Sequence, residues 1–108
     1  MHPIEPGYSA VDGASVPWRA SRSAHGVDVK DLGRANGRVM ELVRFQAGAT
    51  FPLHHHTGPE FIYLLEGEAI QNGHRLGPGW AGVASADTVD ENFRSDSGCV
   101  FLIVYSQD

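Results

Sequence analysis

Gly48-Ala49-Thr50-Phe51-Pro52-Leu53-His54-His55-His56-Thr57-Gly58-Pro59-Glu60, closed by Gly67, is the stretch that decides what kind of molecule this is. Successive side chains of an extended segment point to opposite faces, so His54 and His56 share one face and His55 points away. Glu60 follows His56 across Thr57-Gly58-Pro59, a composition that reads as a turn. Such a turn brings Glu60, at the head of the next strand, back beside the imidazoles. Two histidines and one carboxylate on a rigid sheet make a facial metal site with open positions for substrate, water or oxygen. The donors suit Fe, Mn, Zn or Ni, so they imply one divalent transition metal per chain without selecting it. Three consecutive histidines alone would be no more than a solvated loop. The glutamate at this interval and the glycines at both ends are what argue for a site.

Outward from this stretch the chain is a succession of short apolar runs broken by glycine. Val27-Asp28-Val29-Lys30-Asp31-Leu32 alternates, and Arg38-Val39-Met40-Glu41-Leu42-Val43-Arg44-Phe45 follows an Asn36-Gly37 turn signal. Residues 60–66 and 68–71 flank Gly67 and end at a second turn signal, Asn72-Gly73. His74-Arg75-Leu76, the apolar run from Trp80 to Ala84, and Cys99-Val100-Phe101-Leu102-Ile103-Val104-Tyr105 complete the strand candidates. No segment carries the i, i+3, i+4, i+7 stripe of an amphipathic helix. Thirteen glycines and six prolines punctuating short strands predict an all-β sandwich or barrel. Residues 1–17, rich in Pro, Gly, Ser and Ala, read as an N-terminal arm, either loose or packed on a neighbouring subunit. Residues 18–108 read as one barrel domain.

Composition limits the partners. The formal charge is −5 with no basic cluster, so nucleic acid has no electrostatic footing. No apolar run approaches the ~20 residues that span a bilayer, and Met1-His2-Pro3-Ile4-Glu5-Pro6 lacks the basic start and apolar core of a secretion signal. One cysteine, Cys99, cannot form an internal disulfide. A cytoplasmic protein without membrane or nucleic-acid partners is the expectation. A homodimer is expected too, because a small barrel exposes strand edges that a partner's arm can cover.

The spacing G-x5-H-x-H-x3-E-x6-G resembles the first signature of the cupin superfamily. A second cupin signature, commonly G-x5-P-x-G-x2-H-x3-N, has its spacing from Gly79 but not its residues: Ser85 stands for the proline, Asp87 for the glycine, Asp90 for the histidine and Arg94 for the asparagine. Asp87 tolerates the left-handed turn the glycine would adopt. Asp90 has chemical consequences. As a ligand it would give two neutral nitrogens and two anionic oxygens, tilting the preference toward harder ions such as Mn or Fe(II). Otherwise it is a base or orients a bound water, or it is a surface turn residue.

Trp18, residues 26–32, Leu42-Val43-Arg44-Phe45-Gln46-Ala47-Gly48, the histidine segment and Ser97-Gly98-Cys99-Val100-Phe101 resemble the cupin domain of ChrR-type proteins. The resemblance implies a double-stranded β-helix, or jelly-roll, barrel with metal at His54, His56, Glu60 and here Asp90. ChrR proteins are zinc-containing anti-sigma factors whose separate helical domain grips the sigma factor. These 108 residues show no counterpart of it, so sigma-factor binding is not expected.

Two functions follow. The first is a dioxygenase-type metalloenzyme acting on a small oxygen-bearing molecule such as a diketone, phenol or hydroxyketone, with Asp90 as its catalytic acid–base candidate. The second is a metal-loaded module that senses a ligand or oxidant without turnover; a degenerate, metal-free barrel is a lesser reading. Tyr63 falls on the face opposite Glu60 and reads as a core or interface residue. Phe45, Phe51, Phe61, Trp80 and Phe101 read as barrel packing, with room for one or two of them at the pocket mouth, His74 as exposed and Cys99 as a buried, inert thiol.

Overall fold

Two Asn-Gly turns close two of the hairpins from which the barrel is built. Asn36 and Gly37 have φ 51° and 76°, Asn72 and Gly73 49° and 83°, and both turns join antiparallel strands. Positive φ at both central residues matches the right-handed twist of the flanking strands. The computed structural model describes residues 2–52, 54–56, 58–90 and 92–107; at 54–56 and at Asp90 only the backbone is described. In chain order the strands are β1 (His2–Glu5), β2 (Tyr8–Ala10), β3 (Arg19–Ala20), β4 (Val27–Ala35), β5 (Arg38–Phe45), β6 (Thr50–Phe51) and β7 (His54–His56). They continue with β8 (Glu60–Gly67), β9 (Ala69–Gln71), β10 (His74–Leu76), β11 (Ala81–Ala84), β12 (Thr88–Asp90), β13 (Phe93–Arg94) and β14 (Cys99–Ser106). One 3₁₀ turn, Gly13–Ser15, is capped by Asp12. Among the described residues no helix is long and apolar enough to cross a membrane.

Every pairing is antiparallel. A six-stranded sheet runs β11-β8-β14-β5-β4-β3, a four-stranded sheet β10-β9-β13-β6, and two ladders stand beside them, β1-β2 and β12-β7. This is the all-β barrel that the glycine-punctuated strands predict. Alternation sets the inner face. Along β5 the buried positions are Val39, Glu41, Val43 and Phe45, and along β14 they are Cys99, Phe101 and Ile103. Phe45 is the hub of the core. It meets Phe51, Phe93 and Phe101 edge-on, with ring centroids 4.9, 5.5 and 5.6 Å away. Edge-to-face contacts of this kind add about 0.5–1.5 kcal/mol each beyond area burial. Because Phe93 belongs to β13 and Phe101 to β14, the cluster bolts the two sheets together.

The two glycines of the opening motif have distinct reasons. Gly48 has φ 86°, a turn conformation that a side chain would strain. Gly67 has φ 72°, and a Cβ there would run into the Gly98 carbonyl oxygen. Ser95, fully buried, locks the same corner. Its hydroxyl donates to the Glu68 carbonyl (2.6 Å) and accepts from the Gly98 N–H (2.9 Å), while its own carbonyl receives the Gly48 N–H (2.8 Å). Two aromatic expectations fail. Phe61 and Trp80 are 48 % and 59 % exposed, because the inward register of β8 belongs to Glu60, Ile62 and Leu64 and sends Phe61 outward. Cys99 is buried and His74 exposed, as their positions suggest.

Candidate functional site

The histidine segment forms β7, and its partner is β12 from the second signature. Asp90 lies directly across the ladder from His54, Val89 from His55 and Thr88 from His56. Directly opposed residues of an antiparallel pair share a face. The backbone thus sets the two signatures side by side, with Asp90 at the register position of His54 and one step removed from His56. Asp87, with φ 64°, adopts the left-handed turn that leads into β12. The side chains of His54, His56 and Asp90 lie outside the described residues, so the ligand set expected from the sequence is located here by backbone register. Among the described residues no three His, Cys, Asp or Glu side chains cluster closely enough to hold a metal. The donor set expected from the sequence, two imidazoles and two carboxylates, has a chemistry that fits a divalent transition ion, and the backbone register brings the positions of His54, His56 and Asp90 onto one ladder.

Glu60 is the first residue of β8, partly buried, opposite Ala84 on β11 and Tyr105 on β14. The turn before it comes close to β14, where a Cβ on Gly58 would collide with the Ser106 side chain. Glu60 and Phe51 line two neighbouring cavities, one of about 180 Å³ toward the phenylalanine cluster and one of about 740 Å³ on the side of Glu41 and Tyr105. The larger lies within the usual range of small-molecule sites. Val89, the partner position of His55, lines the smaller cavity, which makes His55 a necessary control in any ligand assignment.

Four residues that sequence reasoning passed over also line the larger cavity: Arg19, Asp31, Glu41 and Tyr105. The Arg19 guanidinium grips both carboxylate oxygens of Asp31, at 2.7 and 2.9 Å, and stands 3.6 Å from Glu41. That hydrogen-bonded pairing raises the pKa of Arg19 and lowers that of Asp31. Glu41, 8 % exposed, has its pKa raised chiefly by burial, and the Asp31 charge adds to the effect. The Tyr105 hydroxyl bonds to the Glu41 carboxyl; burial first, then the Glu41 charge, pushes it up to about 12. Strand alternation held the signal: the inward positions of β5 read Val, Glu, Val, Phe, and a carboxylate in a buried register is informative.

A family model described as the ChrR cupin-like domain matches residues 7–107. No curated protein matches the chain. Several solved structures share its fold at low identity. An acetylacetone dioxygenase from Acinetobacter johnsonii is 16 % identical with a TM-score of 0.78, covering 98 % of this chain and 76 % of its own. The polyketide cyclase RemF from Streptomyces resistomycificus is 21 % identical with a TM-score of 0.80, covering 94 % and 80 %. The anti-sigma ChrR of Rhodobacter sphaeroides, solved in complex with SigE, is 22 % identical with a TM-score of 0.73; the match covers 86 % of this chain but only 50 % of that one.

Proposed function

The chain belongs to the family of ChrR cupin-like domains, and from that premise we propose that it is a metal-dependent enzyme of dioxygenase type acting on a small oxygen-bearing organic substrate. The observation that carries this reading is the pairing of β7 with β12, which sets Asp90 across from His54, combined with Glu60 on the wall of the larger cavity. His54, His56 and Glu60 would hold the ion, with Asp90 as a fourth ligand or as the acceptor of a substrate proton. A bound Fe, Mn, Zn or Ni ion would supply Lewis-acid polarisation of a substrate oxygen and, where redox-active, electron transfer. The chain's own contribution is enclosure: Phe51, Val43 and Ile103 exclude water around the substrate's hydrocarbon part. The shared fold of an acetylacetone dioxygenase and a polyketide cyclase supports a diketone, phenol or hydroxyketone as substrate class.

Metal content of protein purified without added metal or chelator, followed by oxygen uptake on a panel of such compounds, tests the proposal. About one equivalent of iron, manganese or nickel and uptake with at least one compound are expected. No metal bound, or iron-loaded protein inert across the panel, defeats it. Similarity to the anti-sigma ChrR supports a second reading, a non-catalytic ligand or oxidant sensor. Tightly held zinc, with ligand-induced thermal stabilisation and no product, would favour it. The exposed apolar side chains Phe61, Tyr63, Leu65, Trp80 and Val83 support a homodimer, and a monomeric mass by light scattering would remove it.

A further inference from the structure

The inner face of the six-stranded sheet carries a feature that metal binding does not require. Neighbouring strands contribute one polar residue each to a continuous row: Arg19 on β3, Asp31 on β4, Glu41 on β5 and Tyr105 on β14. Asp31 and Glu41 are direct cross-strand partners. Tyr105 lies two residues beyond Ile103, the partner of Glu41, and is therefore its diagonal neighbour. One strand further, Glu60 is the partner of Tyr105. The row thus starts at a half-exposed guanidinium and ends at the carboxylate assigned to the metal.

Stability does not explain this row. The sheets are already joined by the phenylalanine cluster, and well-packed apolar residues of the same volume hold strands together as well as buried ions do, or better. A carboxyl kept on a cavity wall despite its desolvation, as Glu41 is, fits the pattern of a ligand site. Hydrogen-bonding capacity remains unspent as well. Arg19 engages Asp31 through Nε and one terminal nitrogen, leaving the other terminal nitrogen to donate.

We propose that Arg19, Glu41 and Tyr105 form a recognition wall, running away from Glu60 along the cavity, that binds a hydroxyl group of the ligand. The proposal rests on the cavity being the substrate site, as argued above, and narrows the substrate to an uncharged, hydroxylated molecule. A hydroxyl can donate to Glu41 or to the Tyr105 oxygen and accept from Arg19 at once, whereas a carbonyl can only accept. The described lining carries three guanidinium groups (Arg19, Arg22, Arg34) and three carboxylates (Asp31, Glu41, Glu60), so neither an anion nor a cation is favoured. Val29, Val43 and Ile103 flank the row and cover the hydrocarbon frame.

Isothermal calorimetry on the full chain incubated with zinc ion tests this, using two matched pairs: 4-hydroxyacetophenone against acetophenone, and 5-hydroxypentan-2-one against pentan-2-one. In the wild type the hydroxylated member of at least one pair is expected to bind about tenfold tighter or more, as suits a hydrogen bond to charged groups. In Tyr105→Phe and in Glu41→Leu that preference is expected to fall below about threefold, while the unsubstituted member keeps its affinity within about twofold, which also reports an intact fold. No preference in the wild type for either pair, or one retained by both variants, overturns the proposal. The double variant His54→Ala, His56→Ala separates it from the metal reading. Loss of zinc in that variant with the hydroxyl preference kept supports both readings; a wild type that prefers the hydroxyl yet takes up no zinc sinks the metal centre alone, and zinc bound without that preference sinks the wall alone.

Discussion

The same strands build two unlike ends of one barrel. On β5 the inward positions run from Phe45 through Val43 to Glu41, on β14 from Phe101 through Ile103 to Tyr105, and on β4 from Val27 through Val29 to Asp31. One end is sealed by interlocked rings; the other opens into a cavity walled by an ion pair, a buried carboxyl and a phenol. The gradient teaches that a small barrel can concentrate its stability at one end and leave the other free for chemistry. It follows that substitutions at the two ends should behave differently.

The largest effect belongs to the sealed end. Phe101→Ala, removing a fully buried ring that touches Phe45 and Phe93, should cost about 3–5 kcal/mol in denaturant unfolding. A loss under about 1 kcal/mol would mean that the aromatic cluster is not what holds the sheets. Next comes the corner that Ser95 locks between Gly48, Glu68 and Gly98. Ser95→Ala strands the Gly98 N–H and the Glu68 carbonyl and should lower stability by about 1–3 kcal/mol, measured the same way.

At the open end the expectation reverses, and it carries a pH signature. The pKa of Glu41 is raised in the folded state, so folding favours its protonated form. Its contribution is fully present below the unfolded glutamate pKa, about 4.5, and is lost as pH rises through the higher folded value. Glu41→Gln should therefore gain melting temperature relative to wild type as pH rises above about 4.5, then hold that gain constant. A difference that is flat from pH 4 to 7 would show that Glu41 ionises as freely folded as unfolded. The smallest effect is again at the sealed end. Burial raises the Cys99 pKa, so its thiol should resist a disulfide reagent in the native protein and react fully in denaturant. Rapid native labelling would mean that this end admits solvent.

Sequence legibility followed the same gradient. The Asn-Gly turns, the long strands on either side of them and the paired glycines around the histidines were readable because turn chemistry and alternation are local. The hairpin β1–β2 was not, because its residues are exposed on both faces and Pro3 and Pro6 interrupt the pattern, leaving no alternation to detect. Strand β12 is three residues long and takes its identity from pairing with β7. The polar row escaped notice because its members are spread from position 19 to position 105. Only strand register assembles Arg19, Asp31, Glu41 and Tyr105 on one wall. Phe61 was misassigned by composition, though counting alternate positions from Glu60 would have sent it outward.

The tapering of the six-stranded sheet has a further consequence. Its inner strands are eight or nine residues long, but its edges are β11, with four, and β3, with two. A stray strand seeking to extend the sheet meets only a few unpaired amides on either side, too few to template a growing stack. Resistance to fibrillation is thus built into the outline of the sheet, independently of charge or of any partner.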